Sequence, residues 1–159
     1  MADDAFSLAR PVEGLPAMSF KMYKVQVWVG EVPDRPGAAA AKLELLAQAG
    51  ADLAFIFTRP KPDNPEMSLI FLAPITGPEQ IEAAQKVGLT PARDITMLCV
   101  EGDNRRGIGF QLMSHLAVAG INLRGISISA LGQRFAAYLA FDNPHSATLA
   151  TQTLATLVS

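Results

Sequence analysis

Residues able to do covalent chemistry are scarce in this chain. It holds one cysteine, Cys99, and two histidines, His115 and His145, among 159 residues. A nucleophilic thiol needs a nearby base, and neither histidine forms a sequence signature with Cys99. A single cysteine also excludes an intramolecular disulfide and any metal cluster built from several thiolates. Structural roles are expected for all three, with Cys99 packed as a small core residue. No Ser-His-Asp order, metal-ligand spacing or phosphate loop can be assembled. Gly107-Ile108-Gly109 begins like a dinucleotide loop, but Leu112 stands where the third glycine is required. The expectation is no enzyme, no catalytic residues, no metal and no cofactor.

The spacing that does recur belongs to two polar loops. Val32-Pro33-Asp34-Arg35-Pro36-Gly37 and Gly102-Asp103-Asn104-Arg105-Arg106-Gly107 each follow an alternating apolar segment and precede a run with helical spacing. Asp34 and Asn104 are good helix N-caps, and Gly37 and Gly107 suit a tight turn or a close approach of backbone or ligand.

These loops sit inside a longer repeat. Residues Val25 to Leu53 match Ile95 to Leu123 at a constant offset of 70 without gaps, pairing Glu31 with Glu101, Gly50 with Gly120 and Asp52 with Asn122. Each copy opens with a strand pattern, Val25–Val29 and Ile95–Val100. Apolar positions at helical spacing follow, Ala39, Leu43, Leu46 and Ala47 in one copy and Gly109, Met113, Leu116 and Ala117 in the other. Gly50 and Gly120 supply the stops. Strands are then expected at Asp52–Thr58 and Met67–Ala73, joined by a proline-rich loop over Arg59–Glu66, and at Asn122–Ser129 and Arg134–Phe141 around Gly132. Second helices are expected at Pro78–Val87 and Pro144–Leu157, where proline is tolerated near a helix start.

Both halves therefore read β-α-β-β-α. A further strand would complete a split β-α-β unit in each; Gly88–Ala92 is the candidate in the first, and the N-terminal segment Leu15–Tyr23 is the candidate donor for the second. The expected division is an extension over 1–22, a first domain over 23–93 and a second over 94–159. Apolar residues on both faces of the strands, such as Val27 and Val29 alternating with Trp28, exceed what one helical layer can cover. Packing between the repeats and a homodimer are expected.

Charge narrows the partners. The net charge is −2, and Arg105-Arg106 is the only adjacent basic pair, so no general attraction to a phosphate backbone exists and no nucleic-acid partner is expected. Met67–Ala73 and Arg134–Phe141 also lack the basic-and-aromatic pattern of an RNA-recognition sheet. The acidic start, Met1-Ala2-Asp3-Asp4, does not resemble a secretory signal, and no apolar run reaches membrane-spanning length. A cytoplasmic location and no membrane partner are expected.

The Asp34-Arg35-Pro36-Gly37 loop, the passages Ala49-Gly50-Ala51-Asp52-Leu53 and Ala119-Gly120-Ile121-Asn122-Leu123, and the β-α-β-β-α order resemble the ACT-domain family over about Lys24 to Val158. The second loop departs from the pattern in lacking the proline. The resemblance implies an α+β fold of two ferredoxin-like units in tandem, with antiparallel sheets and helices on one face. It also implies a non-catalytic regulatory module that binds a small amino acid or related metabolite at interfaces between units and signals to a protein partner. The alternative is an interaction module of the same fold that has lost its ligand.

An amino-acid carboxylate suits the N–H groups and positive dipole end of a helix start, and its ammonium needs an acceptor such as Asp34 or Asp103. The resemblance places Asp52 and Asn122 beside the ligand loops. The ligand-binding candidates are Asp103, Asn104, Gly107, Ile108, Asn122 and Leu123 in the second copy, and Asp34, Pro36, Gly37 and Asp52 in the first. Asn122 can both donate and accept, whereas ionised Asp52 only accepts. The stronger site is expected to use Asn122, with loop residues from either repeat or subunit.

Overall fold

In the computed structural model, which describes residues 19–158, the elements run in the order β1 (Phe20–Val25), β2 (Trp28–Pro33), α1 (Ala38–Gln48), β3 (Phe55–Lys61), β4 (Asn64–Ala73), α2 (Gly77–Lys86), β5 (Thr90–Pro91), β6 (Thr96–Asp103), α3 (Ile108–Val118), β7 (Gly125–Leu131), β8 (Arg134–Phe141) and α4 (Pro144–Ala155). They form two units. One is Val25–Arg93; the other, among the described residues, is 94–158 together with 19–24.

In the Val25–Arg93 unit the sheet order is β3-β4-β2-β5. Trp28 stands opposite Leu72, Gly30 opposite Ile70 and Val32 opposite Ser68. Because side chains alternate across a strand, Trp28, Val32, Ile70 and Leu72 share one face. There they form a core with Leu46 of α1, Ala83 and Ala84 of α2, and Leu89. The opposite, helix-free face carries Phe57 and Phe71, with ring centroids 6.1 Å apart, and the Arg59 guanidinium lies 5.5 Å from the Phe71 centroid.

The second sheet runs β1-β6-β8-β7. Leu98, Val100, Ala137 and Leu139 line its helix side and pack with Leu112 and Leu116 of α3 and Ala147, Ala150 and Leu154 of α4. The fourth strand of this unit is β1, whose Phe20 joins the same core. Residues Leu15 to Met18 of the candidate donor segment, and the acidic start, lie outside the described residues. The two sheets are thus matched, with helices on one face of each. Each is a four-stranded unit in which the strand completing the pattern comes from a different side of the repeat.

Helix ends follow local chemistry. Gly50 and Gly120 have φ of 76° and 71°. Ala51 N–H bonds to Leu46 C=O and Gly50 N–H to Ala47 C=O, while Ile121 and Gly120 bond in the same way to Leu116 and Ala117. These paired bonds satisfy carbonyls left over at a helix end, and glycine enters the left-handed conformation without a Cβ penalty. Asn143 caps α4 by accepting the Ser146 N–H at 2.8 Å, with Pro144 next to it.

Two expectations need correction. The proposed long loop Arg59–Glu66 is a tight hairpin, because β3 continues through Pro60 to Lys61 and β4 already starts at Asn64. Proline lacks an N–H but is accommodated on an edge strand, and the register shifts between Pro60 and Lys61. The expected strand Val25–Val29 is two strands: Val25 ends β1 and Trp28 begins β2. Between them the Val27 carbonyl accepts the Ala92 N–H at 2.8 Å, so alternation alone hid the change of sheet.

Candidate functional site

The two strand-to-helix loops have one geometry. Asp34 N–H donates to Glu66 C=O at 2.8 Å, and Asn104 N–H donates to Gln133 C=O at 2.7 Å, tying each loop to the neighbouring hairpin. Gly37 and Gly107 both take φ of 83° and stand as the N-caps of α1 and α3. A Cβ on either would meet nothing within 4 Å. Glycine is therefore required by the left-handed turn and not by a close approach of backbone.

Neither helix start is capped by a side chain. Asp34 and Asn104 thus do not act as the N-caps that their residue types suggested; the glycine three residues later holds that position. Ala38 and Ile108 N–H groups bond back to Arg35 and Arg105 carbonyls at 3.3 Å, and the first helical bonds run from Ala41 to Gly37 and from Gln111 to Gly107. The N–H groups of Ala39, Ala40, Gly109 and Phe110 have no acceptor among the described residues. No acidic residue lies in the first turn of either helix, so both ends keep the partial positive charge that attracts a carboxylate.

The loops differ in charge. Asp34 is exposed beside α1, whereas the uncharged Asn104 stands at its place beside α3. Asp103 is paired with Arg134 on β8 at 2.9 Å, which offsets its negative charge near that helix start. Ile108 is a core residue through its side chain.

Asn122, Leu123 and Asp52 lie elsewhere within their own units. They follow Gly120 and Gly50, at the far end of helices of 11 residues, about 16 Å from the loops at 1.5 Å per residue. Leu123 packs against the core, while Asn122 and Asp52 are exposed. One unit therefore gathers Asp103, Asn104, Gly107 and Ile108, or Asp34, Pro36 and Gly37. It does not bring Asn122 or Asp52 to the same end.

Gln111 was not among the sequence candidates. It occupies the apolar stripe of α3 with Ile108, Leu112 and Leu116, is only 9% exposed, and its Oε1 has no hydrogen-bond partner among the described residues. The signal available in sequence was a lone amide in that stripe, where the matching residue of the other copy is Ala41. Its main-chain carbonyl is engaged by Ser114 Oγ at 3.1 Å and by His115 Nδ1 at 2.9 Å.

Cys99 is buried and free. Burial pushes its thiol pKa up, with the nearby Glu101 carboxylate adding to the shift and hydrogen bonding with Tyr23 opposing it. A raised pKa removes thiolate and with it nucleophilicity. His145 is exposed on α4, and no group of three or more metal-ligating side chains occurs among the described residues. No helix among them is long and apolar enough to cross a membrane.

Two ferredoxin-like units, each with an uncapped helix start behind a left-handed glycine, define a tandem ACT-like fold. No family model and no curated protein matches the sequence, but solved structures do. The regulatory subunit of aspartate kinase from Thermus thermophilus, in its ligand-free form, aligns with a TM-score of 0.62 at 17% identity over 91% of this chain and 100% of that one. A protein from Bacteroides thetaiotaomicron aligns with a TM-score of 0.67 at 13% identity, over 88% and 89% of the two chains. Aspartokinase III of E. coli, solved in complex with lysine and aspartate, aligns with a TM-score of 0.53 at 12% identity over 94% of this chain and 35% of that one. At such identities the likeness is one of fold, and the tandem ACT-like architecture implied by the loop motifs is the architecture of this chain.

Proposed function

We propose that this chain is a non-catalytic regulatory module that binds a small amino acid or related metabolite at a strand-to-helix loop and signals occupancy to a protein partner. The observation that carries the reading is the uncapped helix start behind Gly107, with the Gly109 and Phe110 N–H groups lacking an acceptor among the described residues and no acidic residue in the first turn. The shared fold with an aspartate kinase regulatory subunit supports it. Asn122 joins the ligand from a different ACT-like unit than the loop, of the other repeat or of a second copy, since a single unit keeps the two ends of the 11-residue helix apart. A homodimer is part of the proposal. A buried, unpaired Cys99 suits a reducing compartment, and the cytoplasm is the proposed location.

A thermal-shift panel of amino acids tests the reading. A ligand at 100 times its Kd stabilises the folded state by about 2.7 kcal/mol, a shift of several degrees for a chain of this size. No shift with any amino acid or related metabolite would remove the sensor reading. The second reading, a ligand-free interaction module, is favoured by the apolar residues exposed on edge strands: Ile56 and Phe57 on β3, and Ile126 and Leu131 on β7. Sedimentation of the purified chain, with and without amino acids, separates the two. A dimer indifferent to every amino acid supports the second reading, and a monomer removes the dimer from both.

A further inference from the structure

We propose that two copies of this chain join through β7, each presenting the open edge of Gly125–Leu131 to the other in an antiparallel pair centred on Ile128. The inference rests on the homodimer reading above and adds to it the surface that makes the contact.

An unpaired strand edge is a template for another strand, and proteins blunt such edges with lysine, proline, bulges or short length. Among the described residues the two sheets end on four strands. β5 has two residues. β1 carries Lys21 and Lys24, and β3 carries Arg59, Pro60 and Lys61, with a register shift between the last two. β7 has none of these devices. Its sequence, Gly-Ile-Ser-Ile-Ser-Ala-Leu, holds no charge and no proline. Its pairing with β8 runs without a shift from Gly125 to Leu131, and its outer side meets no strand among the described residues.

The partner follows from charge and symmetry. Two copies of β3 would bring the Arg59 and Lys61 cations of both strands together, whereas two copies of β7 bring no charge together. A two-fold axis at Ile128 pairs the whole strand and sets Ile126 opposite Ala130 and Ser127 opposite Ser129. Ile126, Ile128 and Ala130 share the helix side with the core residues Leu139, Ala137 and Phe135, and the serines share the other side with Tyr138 and Ala136. Apolar residue thus meets apolar residue on one face and hydroxyl meets hydroxyl on the other, as favourable cross-strand pairs do.

A seven-residue strand pair is a small part of the roughly 800 Å² per partner that a stable interface buries, and α3 supplies more. A Cβ on Gly109 would lie 3.5 Å from Ile128 Cδ1, so the start of the helix lies over β7. No Asp, Glu, Lys or Arg occurs from Ile108 to Val118, and Phe110 is 56% exposed. The matching helix α1 carries Lys42 and Glu44. An uncharged strand edge and an uncharged helix therefore stand side by side in the second unit and not in the first.

Sedimentation of the full chain over a range of concentrations tests the assignment, with the wild type expected as a dimer. Ser127→Lys combined with Ser129→Lys sets like charges opposite each other across the axis and should raise the dimer dissociation constant tenfold or more. Ser127→Lys combined with Ser129→Glu has similar bulk but sets opposite charges across the pair, and should return the constant toward the wild-type value. Both serines are exposed, so the circular dichroism of the two double variants should match the wild type. Thr58→Lys, on the exposed edge of β3, should leave the dimer intact. A dimer unmoved by the paired lysines, or one dissociated by Thr58→Lys, would overturn the assignment to β7 while leaving the homodimer reading in place. Equal dissociation by both double variants would overturn the antiparallel self-pairing centred on Ile128. A wild-type monomer would remove the homodimer reading and the assignment together.

Discussion

Gly102 leaves the space that Phe20 enters: a Cβ on Gly102 would stand 2.7 Å from the Phe20 Cβ and 2.5 Å from the Ser19 carbonyl oxygen. The matching residue of the first repeat is Val32, a core residue 3% exposed. In that repeat the space is made two residues earlier, at Gly30, where a Cβ would stand 2.8 Å from Leu89 Cδ2. Leu89, just before β5, and Phe20, the first residue of β1, each deliver an apolar side chain to the core, and β2 and β6 each carry a glycine that admits it.

Gly102→Val should therefore destabilise the chain by about 1–3 kcal/mol, as overpacking does, because the nearest obstacles, the Ser19 carbonyl oxygen and the Phe20 Cα and Cβ, cannot rotate away. Phe20→Ala should cost about 3–5 kcal/mol through the cavity it leaves. Gly30→Ala should also destabilise the chain, since besides Leu89 Cδ2 the Gly88 carbonyl oxygen would stand 3.0 Å from the new Cβ. Urea unfolding ranks the three; an unchanged midpoint in Gly102→Val would mean that β1 is not seated on β6.

Gly37→Ala and Gly107→Ala should each cost about 1–2 kcal/mol, the penalty of a left-handed residue with a Cβ. The two costs should be alike, because both residues have φ of 83° and open space around the missing Cβ. Thermal unfolding without ligand measures them, and a large difference between the two would point to a packing role at one loop.

Asn143→Ala should lose about 1 kcal/mol with its cap, since Asn143 accepts the Ser146 N–H at 2.8 Å. Asn104→Ala and Asp34→Ala should change stability little, because neither side chain caps its helix. Circular-dichroism melts of the three variants decide this, and equal losses would restore the capping role to the loop residues.

Asn122→Ala should weaken amino-acid binding by about tenfold or more, given that a charge-assisted hydrogen bond contributes roughly 1.5–3 kcal/mol. Asp52→Ala should weaken it less. Calorimetry on both variants, after their oligomeric state is verified, is the measurement; a greater loss in Asp52→Ala would place the ligand at the other half of the repeat.

Alkaline pH should destabilise the chain. Burial raises the Cys99 pKa, and burial likewise raises that of Tyr138. A group whose folded pKa lies above its unfolded value contributes stability that is fully present below the unfolded pKa and fades as pH rises toward the folded one. The urea midpoint should hold at neutral pH and fall above about pH 9, the region where an unfolded thiol ionises. Cys99→Ala should reduce that fall, and a thiol reagent should label the wild type only on unfolding. Rapid labelling of the native chain would contradict the burial of Cys99.

The residues of the sequence determined most of the local structure. β8 begins and ends where its alternation does, at Arg134 and Phe141. Gly50 and Gly120 stop their helices because the left-handed conformation is a property of the residue itself. The gapless offset of 70 made two units of one kind legible, since a shared pattern of core positions requires a shared fold. The loop motif pointed to the ACT-like architecture for the same reason.

What sequence reading could not decide depended on which segments meet in space. Val25–Val29 alternates without a break, yet β1 ends at Val25 and β2 starts at Trp28 in a different sheet. Alternation reports faces and carries no information about the neighbouring strand. Pro60 looked like a loop residue until its strand proved to be an edge. Asp34 and Asn104 looked like caps, but the turn at Gly37 and Gly107 moved the helix start three residues on. Asn122 and the Gly107 loop were joined by resemblance, whereas the 11 residues of α3 hold them at opposite ends of a unit. Gln111 is an ordinary helix amide in sequence; that its oxygen is buried without a hydrogen-bond partner among the described residues is a property of the tertiary structure alone.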